Sequence, residues 1–426
     1  SHDLQCCRNA LLAHSLRVGS LGRMKKDVMS TRKSLFYNLF LIAILFLLLI
    51  ALFLLAKHAV TQPRWLLSDD FVEYWAAGKL NLSGGNPYSP DELAPLQHQA
   101  GRFAGVPVIM YNPPWMLAFA MPFGAIDYAA ARTIWLLLSI AMIIACCDIL
   151  WKLYAAPPQK RWLGWLIGLS FIPVLDCLRG GQTGILMLLG LVGFIYYQQR
   201  RLDWAAGFFL SLLAIKPHLL LLFLVAVLFW CIYKHRWVII VSSLLTLSAA
   251  TLLAWSFNHF VIQQYLYVTA HYAPQQWATA TLGSFLRILI SVDLFWLQFV
   301  PTGLGLLWFI FYWINHHSHW DWLLQAPLIT LVSVCVAAYG WTFDLPVTLV
   351  AILFVFSHIL KHPFSRSAWI VISIYLIIDS LDLAMRVPQI LLWWLAPSLL
   401  IWYLVMDRFI LRPLMTTSSS GGEPNP

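Results

Sequence analysis

The sequence predicts an all-α, polytopic membrane protein, a transmembrane helical bundle of about twelve spans. Three observations carry that expectation. Hydrophobic residues make up 61% of the 426 and charged ones only 11%, against roughly 25% charged in an ordinary soluble domain. Mean hydropathy is +0.75. The apolar residues come in runs of about 20, the length that crosses one bilayer, with short Lys and Arg clusters between them. No soluble fold hides that much apolar surface. The net charge of +9 does not call for nucleic acid as a partner, because the basic residues sit beside apolar runs rather than in an aromatic-studded groove.

Taken in order, residues 1–34 form a basic tail carrying Arg8, Arg17, Arg23, Lys25, Lys26, Arg32 and Lys33, expected to be disordered. Its first residues match no motif, and Met24 is a candidate start. Leu35 to Ala56 has no charge and is too long for a signal-peptide core, so it reads as the first span. Positive-inside bias puts the tail in the cytoplasm and the loop 57–112 outside. Further spans are expected near 128–151, 162–177, 183–199, 203–215, 218–233, 237–257, 296–315, 322–340, 345–360, 367–381 and 388–406. Counted alternately, 18 of the 27 Lys and Arg then face the cytoplasm, while the acids tilt outward. The apolar stretch 113–126 is short and broken by Pro122, and reads as re-entrant or interfacial. The membrane domain is thus 35–407, with a cytoplasmic tail at 408–426 rich in Ser, Gly and Pro. Multi-pass insertion in the cell (inner) membrane is the expected location, with membrane lipids as obligate neighbours.

Seven Cys include the pairs Cys6-Cys7 and Cys146-Cys147 but no CxxC spacing, so neither a disulfide framework nor a metal site is expected. His316, His317 and His319 read as a juxtamembrane loop. No cofactor is implied.

The unusual polar residues fall on the external side. Asp69 and Asp70 precede Phe71-Val72-Glu73-Tyr74-Trp75. One account has Ser68 or Asp69 capping an interfacial helix over 70–80 whose Phe71, Tyr74 and Trp75 face lipid; the other has a desolvated carboxylate acting as general base. Asn86 and Tyr88 follow in a Gly-rich turn, and Asn112 stands before the paired Pro113-Pro114, free to bond backbone or ligand. In Arg179-Gly180-Gly181-Gln182-Thr183-Gly184 the glycines open the backbone to an anion and Arg179 adds charge, although helix packing explains the same residues. Lys216-Pro217-His218 interrupts an apolar stretch, where a cation is a functional candidate by default unless it snorkels. Trp341 and Asp344 sit at another external mouth, where an N-cap before Pro346 would explain the acid.

The ordered set Asp-Phe-x-x-Tyr-Trp at 70–75, Gly-x-Pro-Tyr at 85–88, Pro-Pro at 113–114, Gly-Gly-Gln-Thr-Gly at 180–184, Lys-Pro-His at 216–218 and Trp-x-x-Asp at 341–344 resembles glycosyltransferase family 87, over roughly 35–405. The resemblance implies the C-type glycosyltransferase fold and an enzyme that moves a hexose, mannose first among them, from a polyprenyl-phosphate sugar to an envelope glycolipid or glycan acceptor. It implies Asp70, with Asp69 its nearest competitor, as the catalytic base for an inverting displacement. Arg179, Lys216 and His218 would bind the donor phosphate. Asn86, Tyr88, Asn112, Gln182, Trp341 and Asp344 would bind sugar or acceptor. A transporter or flippase for a lipid-linked or other anionic small molecule would share the broken helices and the buried Lys216. It would also need polar groups along a whole pathway and usually shows internal repeats; here the motifs keep to one side and no repeat is evident.

Overall fold

The computed structural model describes residues 50, 52–62, 70–103, 106–272, 277–361, 365–385 and 387–406. Two units divide at 58/59. Within the first, residues 52–58 are helical; most of the expected first span, the basic tail, Asp69 and residues 408–426 lie outside the described residues. The second unit is helical, with no strand among the described residues.

Its first helix, α1 (Phe71–Leu82), corrects the picture of an interfacial amphipath. Phe71, Tyr74 and Trp75 are at most 2% exposed, packed inside the protein instead of facing lipid. Phe71 stacks on Trp135 at 6.0 Å, and Trp75 donates its Nε1 proton to the Ile126 carbonyl at 3.0 Å. α2 (Pro90–Gln99) follows, with Ser89 as its N-cap. The apolar stretch after Pro113 makes a 3₁₀ turn, Pro114–Met116, and an 8-residue helix, α3 (Leu117–Gly124). At 1.5 Å per residue α3 is about 12 Å long, too short to cross a hydrocarbon core of about 30 Å. It packs on α1 through glycines: a Cβ on Gly78 would lie 2.3 Å from the Ala120 carbonyl oxygen, and one on Gly124 2.3 Å from the Lys79 nitrogen. Small residues at that crossing let the two backbones touch.

α4 (Tyr128–Leu153) has 26 residues, capped by Asp127, whose carboxylate accepts from the Ala130 N–H at 3.1 Å. The single span expected at 162–177 is in fact two helices, α5 (Arg161–Ser170) and α6 (Ile172–Gly180), bent by 58°. Pro173 explains the break, since proline pushes the residue before it and the preceding turn out of helical geometry. The freed Ile172 N–H donates to Asp379 Oδ1 at 3.0 Å. Next come α7 (Gly184–Gln199), α8 (Asp203–Ser211) running into the 3₁₀ turn Leu212–Ile215, α9 (Leu221–Tyr233), α10 (Trp237–Phe257), α11 (Val261–His271), α12 (Leu282–Ile290) and α13 (Val300–His316). The Lys216–Leu220 break puts the start of α9 three residues later than the span expected from 218. α14 (Trp322–Val336), the 3₁₀ turn Thr342–Thr348, α15 (Leu349–Lys361), α16 (Arg366–Ala384) and α17 (Leu395–Met406) complete the chain.

Among the described residues six helices are long and apolar enough to cross a membrane, seven if α5 and α6 make one bent span. Four expected spans are shorter apolar helices, α7, α8 with its 3₁₀ extension, α9 and α14. The chain is an integral membrane protein, all-helical among the described residues.

Candidate active site

The site forms where four breaks in the helical bundle meet. Asp70 is the residue before α1, yet its side chain makes no cap. Its backbone N–H donates to the Gly180 carbonyl at 2.9 Å, and its Oδ2 accepts from Gln182 Nε2 at 2.9 Å. Gln182 Oε1 in turn accepts from Tyr74 Oη at 3.0 Å and from Lys216 Nζ at 3.4 Å. Lys216 closes the relay with an ion pair to Asp344 Oδ1 at 2.6 Å. Gln182, Lys216 and Asp344 are 5%, 8% and 0% exposed.

Each member is placed by local chemistry. The Gly180-Gly181-Gln182 turn needs Gly181 at φ 65°, a left-handed conformation that suits glycine. It is held from α4: Arg132, fully buried, donates through Nη2 to the Leu178 and Arg179 carbonyls at 2.7 and 2.9 Å, and Trp135 Nε1 donates to the Gly181 carbonyl at 2.8 Å. Lys216 follows the 3₁₀ turn Leu212–Ile215, whose carbonyls are gripped by the Asn112-Pro113-Pro114-Trp115 corner: Asn112 Nδ2 donates to Ile215 O at 3.1 Å and Trp115 Nε1 to Ala214 O at 3.0 Å. Pro217 ends any helix there. Asp344 is not the N-cap expected before Pro346; it lies inside its 3₁₀ turn and reaches back to accept the Trp341 N–H at 3.1 Å through Oδ2. Lys216 Nζ lies 5.6 Å from the Trp341 ring and 5.1 Å from the Phe343 ring, which stack on one another. A buried ion pair of this kind holds geometry; removing one partner typically costs about 3–5 kcal/mol because a bare charge is left behind.

Electrostatics set Asp70 apart. Burial pushes its carboxyl above the ordinary range, against the Gln182 hydrogen bond and the charges of Arg102 and Lys216, which pull it down. Glu73, one turn along α1 and 7% exposed, goes further: burial and the neighbouring Asp70 charge raise it to about 8. A carboxylate so desolvated, aimed at a break in the bundle, is suited to taking a proton from a hydroxyl. Among the described residues no group of three or more His, Cys, Asp or Glu is placed to hold a metal ion.

The other expected site residues lie apart from this relay. Asn86 Oδ1 accepts the Tyr88 N–H at 3.0 Å, and Tyr88, 1% exposed, donates to the Asn112 carbonyl at 3.3 Å and packs its ring 5.6 Å from that of Tyr265 in α11. Arg179 is exposed at the end of α6. His218 has a buried Nε2 with no partner among the described residues. Sequence reasoning passed over Glu73, Tyr74, Arg102 and Arg132. Two signals were present: Glu73 is three residues after Asp70, the spacing that shares a helix face, and Arg132 is a cation inside an apolar run.

A bundle of apolar helices enclosing desolvated carboxylates, an amide and an ammonium group defines an integral membrane protein with a buried polar site. The chain belongs to glycosyltransferase family 87, whose family model matches residues 110–355, and it is therefore a membrane glycosyltransferase. The matched stretch holds Gln182, Lys216 and Asp344, while Asp70 and Glu73 precede it. No curated protein and no solved structure matches the chain.

Proposed function

We propose that this enzyme transfers a hexose, mannose in the first instance, from a polyprenyl-phosphate sugar to an envelope lipid or glycan acceptor on the external face of the cell membrane. The observation that carries the reading is the relay Asp70–Gln182–Lys216–Asp344, in which Lys216 is paired with Asp344 and the Asp70 carboxylate takes its hydrogen bond from the Gln182 amide. Asp70 takes the acceptor hydroxyl proton. The acceptor oxygen bonds to the anomeric carbon as the bond from that carbon to the phosphate oxygen breaks, and its electron pair leaves with the lipid phosphate. Attack opposite the leaving group inverts the centre. Asp344 and Trp341 orient the sugar, the ring by stacking on its face.

Several features support a lipid-linked donor. An apolar groove of about 990 Å³, bounded by Leu282, Phe285, Leu304, Trp308, Leu328 and Val336, runs beside α12, α13 and α14 and gives an alkyl chain a place to lie. The six or seven long helices and four shorter apolar ones, with the first apolar run, fit the about twelve spans of a C-type fold.

The test is transfer by purified protein given polyprenyl-phosphate sugars and envelope lipid extract. Asp70→Asn should lower turnover by about 10²–10⁴-fold, the usual worth of a general base, and Asp69→Asn far less. Full activity in Asp70→Asn would remove Asp70 from the base's role.

A further inference from the structure

Arg287 poses a problem that the relay does not solve. It is 1% exposed on α12, its Nη2 donates to the Trp277 carbonyl at 3.2 Å, and its Nε and Nη1 are buried with no hydrogen-bond partner among the described residues. None of the ion pairs among the described residues includes it. The Phe295 ring faces its charge at 5.6 Å but takes up no N–H in a hydrogen bond, and a guanidinium stripped of water and lacking a carboxylate is an unfavourable arrangement unless an anion completes it.

Two more unsatisfied groups are linked to it through Trp277, whose carbonyl takes the Arg287 hydrogen bond and whose ring lies 6.2 Å from that of Tyr339. Tyr339 Oη and His218 Nε2 are likewise buried without a partner among the described residues. The His218 and Tyr339 rings meet edge to face at 6.2 Å. The frame around them is rigid. Gln298 Nε2 donates to the Ala338 carbonyl at 2.6 Å and to Ser284 Oγ at 2.9 Å, and the Ala280 N–H donates to the Gly340 carbonyl at 3.1 Å. Gly283 lies so close to Gln298 that a Cβ would be 2.1 Å from its carbonyl oxygen. These hydrogen bonds tie together the segments carrying Arg287 and Tyr339, although Gln298 Oε1, like the ends of Arg287, Tyr339 and His218, is buried without a partner among the described residues. Rings connect this cluster to the relay: Trp277 is 6.2 Å from Tyr339 and 5.2 Å from Trp341, which stands over Lys216.

We propose that Arg287, Tyr339 and His218 form an anion site that holds the phosphate group of the lipid-linked donor, resting on the lipid-phosphate reading given above. Arg287 supplies two N–H donors and fixed charge, Tyr339 a hydroxyl, and His218 an Nε2–H. Their chemistry suits phosphate oxygens, which accept charge-assisted bonds from a guanidinium fork. Arg179 is exposed and Lys216 is committed to Asp344, so neither replaces Arg287.

The experiment is calorimetric titration of the full chain in nanodiscs with farnesyl phosphate, farnesol and inorganic phosphate, for wild type, Arg287→Gln and Tyr339→Phe. Losing a charged donor should weaken farnesyl phosphate binding by about tenfold or more in Arg287→Gln, and by about three- to tenfold in Tyr339→Phe, with farnesol unchanged. Tyr339→Phe keeps the ring and removes one hydroxyl, so it carries the test if Arg287→Gln does not fold. Wild-type affinity for farnesyl phosphate in both variants, or equal losses for farnesyl phosphate and farnesol, would overturn the site. Arg287-dependent binding of inorganic phosphate with no preference for farnesyl phosphate would keep the anion site and sink the lipid-linked reading.

Discussion

Glu73 shares a buried helix start with Asp70, and two carboxylates so close cannot both ionise cheaply. The groups acting on Glu73 are Asp70 and Tyr74 from its own segment, Arg102 from the first loop and Lys216 from the turn before α9. Its folded pKa of about 8 stands above the ordinary 4.5, so the folded state binds the proton more tightly than the unfolded one. The corresponding stability is fully present below pH 4.5 and is lost as pH rises through about 8. Glu73→Gln keeps the neutral shape and escapes that loss. Its unfolding temperature should match wild type at pH 4.5 and exceed it at pH 9, by an amount equivalent to a few kcal/mol at about 1.4 kcal/mol per pKa unit. A constant gap across that range would show that Glu73 does not titrate. Little of this was legible beforehand: Asp70 stood out by its motif, whereas Glu73 looked like one more external acid until α1 proved buried on all sides.

At the scale of elements, the two site turns touch backbone to backbone. A Cβ on Gly184, the first residue of α7, would lie 2.4 Å from the Phe343 carbonyl oxygen and 3.4 Å from the Asp344 Cα. Gly184→Ala must therefore move the turn that carries Asp344. Overpacking of this kind costs about 1–3 kcal/mol, and the shift should cut turnover by about tenfold or more, since small displacements of catalytic groups are expensive. Gly303→Ala, where nothing lies within 4 Å, is the control and should leave turnover and unfolding temperature unchanged. Equal effects of the two substitutions would remove the argument from close approach. The apolar runs made the helices legible, and Pro173 and Pro217 held the clue to where they break. The partners across those breaks were not legible. Asn112 gripping Ile215 O, or Arg132 holding the Leu178 and Arg179 carbonyls, joins residues far apart in sequence, and periodicity carries no information about such pairs.

For the molecule as a whole, the geometry constrains sidedness more tightly than charge counting does. Where spans alternate, the side of every motif after 113–126 depends on whether that stretch crosses the membrane, and α3 is too short to do so. A stronger constraint is the relay itself: Asp70, Gln182, Lys216 and Asp344 are joined by contacts of 3.4 Å or less, so the four lie on one side of the bilayer or at one depth. Any topology that places the first loop and the Trp341–Asp344 turn on opposite faces is incompatible with those bonds. On the positive-inside expectation for the first loop, that shared face would be the outer one. Single cysteines at exposed neighbours of the two segments, Asp91 in α2 and Pro217 beside Lys216, should both react with a membrane-impermeant maleimide added to intact cells, while Lys152→Cys at the far end of α4 should react only after permeabilisation. The opposite pattern at all three positions would invert the enzyme in the membrane yet keep the site intact. Labelling of Asp91→Cys and Pro217→Cys from different sides would break the shared site, and with it the assignment of Asp70 and Lys216 to one reaction.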